Sequence, residues 1–279
     1  MTPLPAAPSP EACVIDLAVA PDGSVWGIGP APTEGPFLPA FLTHFDADTG
    51  AVLSSTLFTG AFSEAQVRYG GLAFDSAGTL YAQLVTDEPG CDADFVCLYT
   101  VDPSTAVATF VGTPGDDFAE TFLAFLAADC GTAMETVVPA IIDDAATDAS
   151  WDGPTAADHG ADSLASYDAA TGALTQGPEL VDPNDFVVGI DYFRTDGTLY
   201  ALIAPRLVPG EESVVATADD VYASAFQVSL YTVDPATAEV TLVAPLSDPE
   251  ADIATLGIAG ECPVPPTPAP VVLEPTFTG

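Results

Sequence analysis

Lysine is absent from this chain, and arginine occurs three times, at Arg68, Arg194 and Arg206. Against these stand 41 acidic residues, for a formal net charge of −38. A surface of that sign repels phosphate backbones and anionic headgroups, which argues against nucleic acid and against membrane insertion. Cations are its natural counterparts, and a salt-rich medium suits it because screening relieves self-repulsion. No apolar run approaches the roughly 18 residues of a membrane helix. The first ten residues are rich in Pro and Ala and lack a basic n-region, so they do not read as a signal peptide.

Catalytic hallmarks are missing as well. There is no G-x-S-x-G elbow, no H-E-x-x-H helix and no phosphate-binding glycine loop. Two histidines, His44 and His159, and three arginines leave few candidates for general-base or oxyanion duty. None of the five cysteines (Cys13, Cys91, Cys97, Cys130, Cys262) forms a CxxC pair, so a tetrahedral zinc site is not expected. A lysine-free, acidic, Pro-rich chain fits an oxidising setting, extracellular or on the surface of a prokaryotic cell, where disulfides persist. Cys91 and Cys97 bracket a short segment and are expected to pair. One bond involving Cys262 is expected among the other three.

What the chain does have is a core's worth of apolar residues, 48% of the total, which separates it from disordered acidic chains. It also has an internal repeat. One unit is an apolar strand, a turn with glycine and a second apolar strand: DLAVAPDGSVWGI from Asp16, GLAFDSAGTLYAQL from Gly71 and GIDYFRTDGTLYALI from Gly189. LAFLAADCGTAMETV, from Leu123, is a degenerate copy in which Ala133 and Met134 replace Leu-Tyr. A second unit follows each: LTHFDADTGAVL, LYTVDPSTAVATFV, LASYDAATGALTQG and LYTVDPATAEVTLV. Residues 116–128 also fit an amphipathic helix, but the repeat requires a strand there. In the second units, Asp46 and Asp168 open turns closed by Gly50 and Gly172. There a carboxylate can accept amides two residues on and glycine supplies positive φ. The D-x-D-x-G string at Asp46 hints at a calcium loop, but the rest of that signature is absent.

Two hairpins per repeat make four strands, the content of one β-propeller blade. The expected fold is all-β, with blades near residues 14–57, 70–111, 121–176 and 187–243 and a partial fifth inner strand at 253–260. The pattern resembles NHL- and YVTN-type propeller repeats over about residues 14–260. That resemblance implies architecture and is nearly silent on function. Residues 1–13 read as an N-terminal extension and 261–279 as a Pro-rich tail. The tail's Val271-Val272-Leu273 segment can add to a sheet edge of another copy, giving a homo-oligomer or filament through residues 263–279.

The candidate site follows from loop length. The connections between the two hairpins are longest in the third and fourth repeats, and binding residues concentrate in such loops. The ligand-binding candidates are Trp151, Asp152, Asp158, His159, Glu211, Asp219 and Asp220. Asp144, Asp148 and Asp162 are the candidate metal ligands. Clustered carboxylates suit calcium, the one cofactor suggested, and an adjacent aromatic suits a glycan ring. The plain alternative is a pair of solvated acidic loops. The functions that follow are a non-enzymatic surface propeller for adhesion, display or self-assembly, a calcium-dependent carbohydrate-binding module, or a metal-assisted propeller hydrolase.

Overall fold

The protein was analysed as a computed structural model. It describes residues 14–30, 39–62, 65–66, 71–87, 91, 96–115, 124–130, 133–138, 162–180, 185–205, 228–246 and 256–258. Alternation of apolar residues with period two, broken by Asp- and Gly-bearing turns, makes antiparallel meanders. Blade 1 is β1 (Asp16–Val19), β2 (Val25–Pro30), β3 (Ala40–Phe45) and β4 (Val52–Leu57). Blade 2 is β5 (Ala65–Gln66), β6 (Leu72–Phe74), β7 (Leu80–Thr86), β8 (Cys97–Asp102) and β9 (Val107–Gly112), with β5 and β6 both pairing β7 as two pieces of one inner strand. Blade 3 is β10 (Ala124–Ala128), β11 (Met134–Val138), β12 (Ser163–Tyr167) and β13 (Leu174–Glu179). Blade 4 is β14 (Asp185–Phe193), β15 (Thr198–Pro205), β16 (Ser229–Val233) and β17 (Val240–Pro245). Every sheet runs in sequence order with antiparallel pairing. The protein is therefore an all-β propeller of four blades. Residues 124–128, where a helix also fitted the sequence, form a strand.

Period two sends alternate side chains to opposite faces of each blade, and the buried residues divide accordingly. Leu72, Phe74, Leu80 and Tyr99 of blade 2 pack with Ile28, Ala40 and Leu42 of blade 1. Ala73, Tyr81 and Leu98 turn the other way, onto Leu126, Met134 and Tyr167 of blade 3. Leu164 and Val137 of blade 3 meet Ile190, Tyr192 and Leu199 of blade 4. The last face of blade 4, with Leu202, Val228 and Leu230, is covered by Leu256 and Ile258. A Cβ added to Gly257 would stand 3.3 Å from the Leu17 Cβ. Residues 256–258 therefore lie between blade 4 and blade 1; they belong to the segment expected as a fifth inner strand, but they do not form one.

The second-unit turns have the expected mechanism. The Asp46 carboxylate accepts the Thr49 amide at 2.8 Å and the Thr49 hydroxyl at 2.7 Å, and Gly50 has φ +68°. Those bonds, led by the Thr49 hydroxyl, hold the Asp46 carboxyl below the usual carboxylate range. Ala106 and Ala238 occupy the glycine position in blades 2 and 4 with φ of 55° and 53°. The Asp102 and Asp234 turns keep the left-handed residue even where it is alanine.

Cys91 and Cys97 form a disulfide at the start of β8, with Cα atoms 5.7 Å apart. Cys130 is disulfide-bonded too, to a partner outside the described residues. These bonds place the protein in an oxidising compartment. Among the described residues no helix is long and apolar enough to cross a membrane.

Candidate functional site

Inner strands at a propeller axis have a problem of hydrogen bonding. Each pairs on one side with its own blade, and the other edge faces the axis with its amides unpaired. Three aspartates meet that need. Asp16, first residue of β1 and fully buried, accepts the Leu72 amide of blade 2 at 2.8 Å and the Leu126 amide of blade 3 at 3.2 Å through Oδ2. Its Oδ1 accepts the Leu17 amide. Asp191 in β14 repeats the arrangement: Oδ1 accepts the Tyr192 amide, and Oδ2 accepts the Ile258 amide at 2.6 Å. Asp162 Oδ2 accepts the Val187 amide at 2.9 Å, linking blade 3 to blade 4. Burial pushes the Asp191 carboxyl up to about 7, against the opposing pull of its two amides and Arg194.

The other end of the axis carries a cation. Arg194, just beyond β14, donates from Nη2 to the Phe74 carbonyl at the end of β6, 2.6 Å away in blade 2. It is 4% exposed, and its Nη1 has no hydrogen-bond partner among the described residues. Burial lowers its pKa, while Asp191 and then Asp75 oppose that shift. Asp16 thus ties the beginnings of the inner strands and Arg194 ties their ends. Among the described residues, the carboxylates of Asp16, Asp162 and Asp191 accept backbone amides and Arg194 donates to a backbone carbonyl.

Two further polar contacts lie between blades. Gln83 Nε2 donates to Thr136 Oγ1 at 2.8 Å and to Tyr167 Oη at 3.2 Å, joining blades 2 and 3. Burial raises the Tyr167 pKa, with the Gln83 bond opposing. Between blades 3 and 4, Tyr192 hydrogen-bonds Glu135, whose Oε2 has no hydrogen-bond partner among the described residues. Burial drives the Glu135 carboxyl up to about 7, the Tyr192 bond opposes this, and Asp129 adds to it.

Of the site residues chosen from sequence, Asp162 alone falls among the described residues, and it is a buried interblade acceptor. Asp144, Asp148, Trp151, Asp152, Asp158, His159, Glu211, Asp219 and Asp220 lie outside them. Among the described residues no group of three or more His, Cys, Asp or Glu side chains could hold a metal ion. His44 stacks on Trp26, with centroids 4.2 Å apart and planes 9° from parallel. The sequence reading missed Asp16, Asp191 and Arg194. The available signal was a charged residue inside or just past an apolar inner strand, where β-structure disfavours it.

No protein-family model and no curated protein matches the chain. Solved structures do. The Dos1 propeller is similar over 85% of this chain and 60% of its own, at 10% identity and a TM-score of 0.39. A glycoside-hydrolase-like protein from Parabacteroides distasonis is similar over 86% and 73%, at 11% identity and 0.49. Oligogalacturonate lyase from Vibrio parahaemolyticus is similar over 85% and 66%, at 13% identity and 0.40. The chain thus spans about three fifths of the Dos1 propeller and two thirds of the lyase. Identity this low carries neither substrate nor reaction across. The propeller assignment rests on the strand order and pairing within the chain itself.

Proposed function

We propose that this protein is a non-enzymatic extracellular propeller that presents two long acidic loops, from adjacent blades and one face, to a glycan bound through calcium. The observation that supports it is the position of the loops on the meander. Connections alternate between the two ends of a blade, so the β2–β3, β7–β8, β11–β12 and β15–β16 connections all leave from the same end. The first two span residues 31–39 and 87–96; the last two, 139–162 and 206–228, are more than twice as long. Blades 3 and 4 are neighbours, packed through Leu164 and Ile190. Carboxylates at residues 143–162 and 211–220 are the hard oxygen donors calcium takes, and Trp151 is a stacking surface for a sugar ring. The buried Asp16, Asp162 and Asp191 favour recognition over hydrolysis: carboxylates that already accept amides are poorly placed to activate water.

The test is to replace residues 140–161 and 207–227 by short connectors. The shortened protein should keep its strand circular-dichroism signature and lose calcium-dependent retention on a glycan array. Unfolding of that variant, or full-length protein that ignores every glycan with calcium and with chelator alike, would overturn the proposal.

Self-assembly is the second reading, favoured by the outer edges. β4 is exposed along its whole length, including Val52, Leu53 and Leu57, and β17 exposes Leu242 and Val243. Among the described residues each pairs on one side only. Such edges accept a further strand, and residues 271–273, Val-Val-Leu, are apolar in sequence. Light scattering of protein lacking residues 263–279 tests this: if the full chain and the shortened one are both monomers at high concentration, the idea fails.

A further inference from the structure

The geometry points to a second recognition site, on the face opposite the long loops, that takes a lysine or arginine side chain of a partner protein between Trp26 and Asp22. The site is an open groove of about 310 Å³ at the junction of blades 1 and 2. The inner-hairpin turn of blade 1 supplies Pro21, Asp22 and Ser24, that of blade 2 supplies Ser76 and Ala77, and the β8–β9 turn adds Pro103. All three turns lie at the end of the blades away from the β11–β12 and β15–β16 connections.

Trp26 is held in place before any ligand arrives. Its Nε1 donates to Ser24 Oγ at 3.0 Å, and Ser24 Oγ donates to Asp22 Oδ1 at 2.7 Å. His44 stacks parallel on the indole. A fixed aromatic wall costs little entropy on binding. The Ser24 hydroxyl, then its amide, hold the Asp22 carboxyl below the usual carboxylate range, so it stays charged. Both bonds use Oδ1. An indole with a carboxylate beside it is the combination that favours a cation.

Charge complementarity identifies the occupant. Asp22 lines the groove, within a molecule of net charge −38. The chain has no lysine to offer, its Arg194 is buried at the axis, and Arg68 and Arg206 lie outside the described residues. A net charge of −38 favours a cationic side chain brought by another protein. An open groove with one wall and one close carboxylate implies a dissociation constant on the order of millimolar for a single side chain. Useful affinity would come from several such contacts on a basic partner.

The experiment is an NMR titration. The chain has two tryptophans, so Trp151→Phe leaves the Trp26 indole Nε1–H as the sole indole signal. The probes are acetyl-Gly-Lys-Gly-amide and its uncharged isostere acetyl-Gly-norleucine-Gly-amide, at fixed ionic strength. The lysine peptide should shift the indole signal saturably, the norleucine peptide should not, and Asp22→Asn should weaken the lysine response at least fivefold. Asp22→Asn keeps an acceptor for Ser24, and its melting temperature, measured alongside, should match the parent within a few degrees. Equal shifts from both peptides, a lysine shift that never saturates, or an Asp22→Asn variant that binds as before would each overturn the proposal. Because the groove lies away from residues 139–162 and 206–228, shortening those loops leaves this titration unchanged, and the two proposals fail separately.

Discussion

The junction of blades 1 and 2 and the junction that closes the ring are built differently. Between blades 1 and 2, two sheets contribute whole faces, including Ile28, Leu42, Leu80 and Tyr99. Asp16 adds a hydrogen-bonded clamp there that reaches on to blade 3. At the closing junction, among the described residues, the cluster on blade 4 holds Leu256 and Ile258 in place of a blade 1 sheet, and the Asp191–Ile258 bond ties them to blade 4. A ring of consecutive blades must be closed by something, and here it is a short return of the chain. The same device, a buried aspartate accepting amides, secures both places. In the first it reinforces a broad apolar interface, whereas in the second it carries a larger share.

The largest effect expected from breaking this contrast is at Asp16. Asp16→Ala strands the buried Leu72 and Leu126 amides and should cost about 3–5 kcal/mol, since buried donors without acceptors lose about 1–3 kcal/mol each and bonds to charged groups are the stronger kind. Urea melts followed by tryptophan fluorescence measure it. A loss below about 1 kcal/mol would remove Asp16 from the account.

Asp191→Ala should cost less, about 1–3 kcal/mol near pH 5, and the cost should shrink toward pH 8. Asp191 has a folded pKa raised to about 7, so the folded state holds a proton that the unfolded state has released. Stability therefore falls as pH rises from the ordinary carboxylate range through about 7. Replacing the side chain removes that penalty along with the bond. Melts of parent and variant at both pH values check the direction, and a cost that grows toward pH 8 would contradict it.

Glu135, also raised to about 7, acts with the same sign. The parent should melt at a higher temperature at pH 5 than at pH 8, even in molar NaCl where surface repulsion is screened. Glu135→Gln should flatten part of that slope. The exposed turn aspartates, such as Asp46 and Asp168, are shifted down by their own turns and oppose this trend below the ordinary carboxylate range.

The smallest effect is that of salt at constant pH. Added NaCl should raise the melting temperature by relieving repulsion among 41 carboxylates. A flat or falling curve would mean that the surface charge is already compensated.

Much of the propeller was legible because its signals are local. Each hairpin carries its own alternation and its own turn, so the double unit at Asp16 and the one at Gly189 announce strands without knowledge of anything distant. Cys91 and Cys97 were legible for the same reason. Blade limits shifted by a few residues: blade 4 begins at Asp185 rather than 187, and the inner strand of blade 2 is split into β5 and β6. What was not legible is long-range. Asp16 finds its acceptor role 56 and 110 residues away, and Arg194 meets Phe74 120 residues away. Spacing along the chain says nothing about such partners. Trp26 and His44 become neighbours once the β2–β3 register is known. Loop length drew attention to residues 139–162 and 206–228, while the groove at Trp26 is made from three short turns, close in length to their counterparts in the other blades.

Amide hydrogen exchange tests the central claim most directly, by comparing the Leu72 amide, clamped by Asp16, with the Ile258 amide, clamped by Asp191. Under native conditions Leu72 should exchange through global unfolding alone. Ile258 should be protected, but should exchange through a smaller, local opening whose free energy drops further in Asp191→Ala while that of Leu72 follows the global change. An Ile258 amide that exchanges as fast as an unstructured one, or that matches Leu72 in both proteins, would contradict a ring closed by a latched return of the chain.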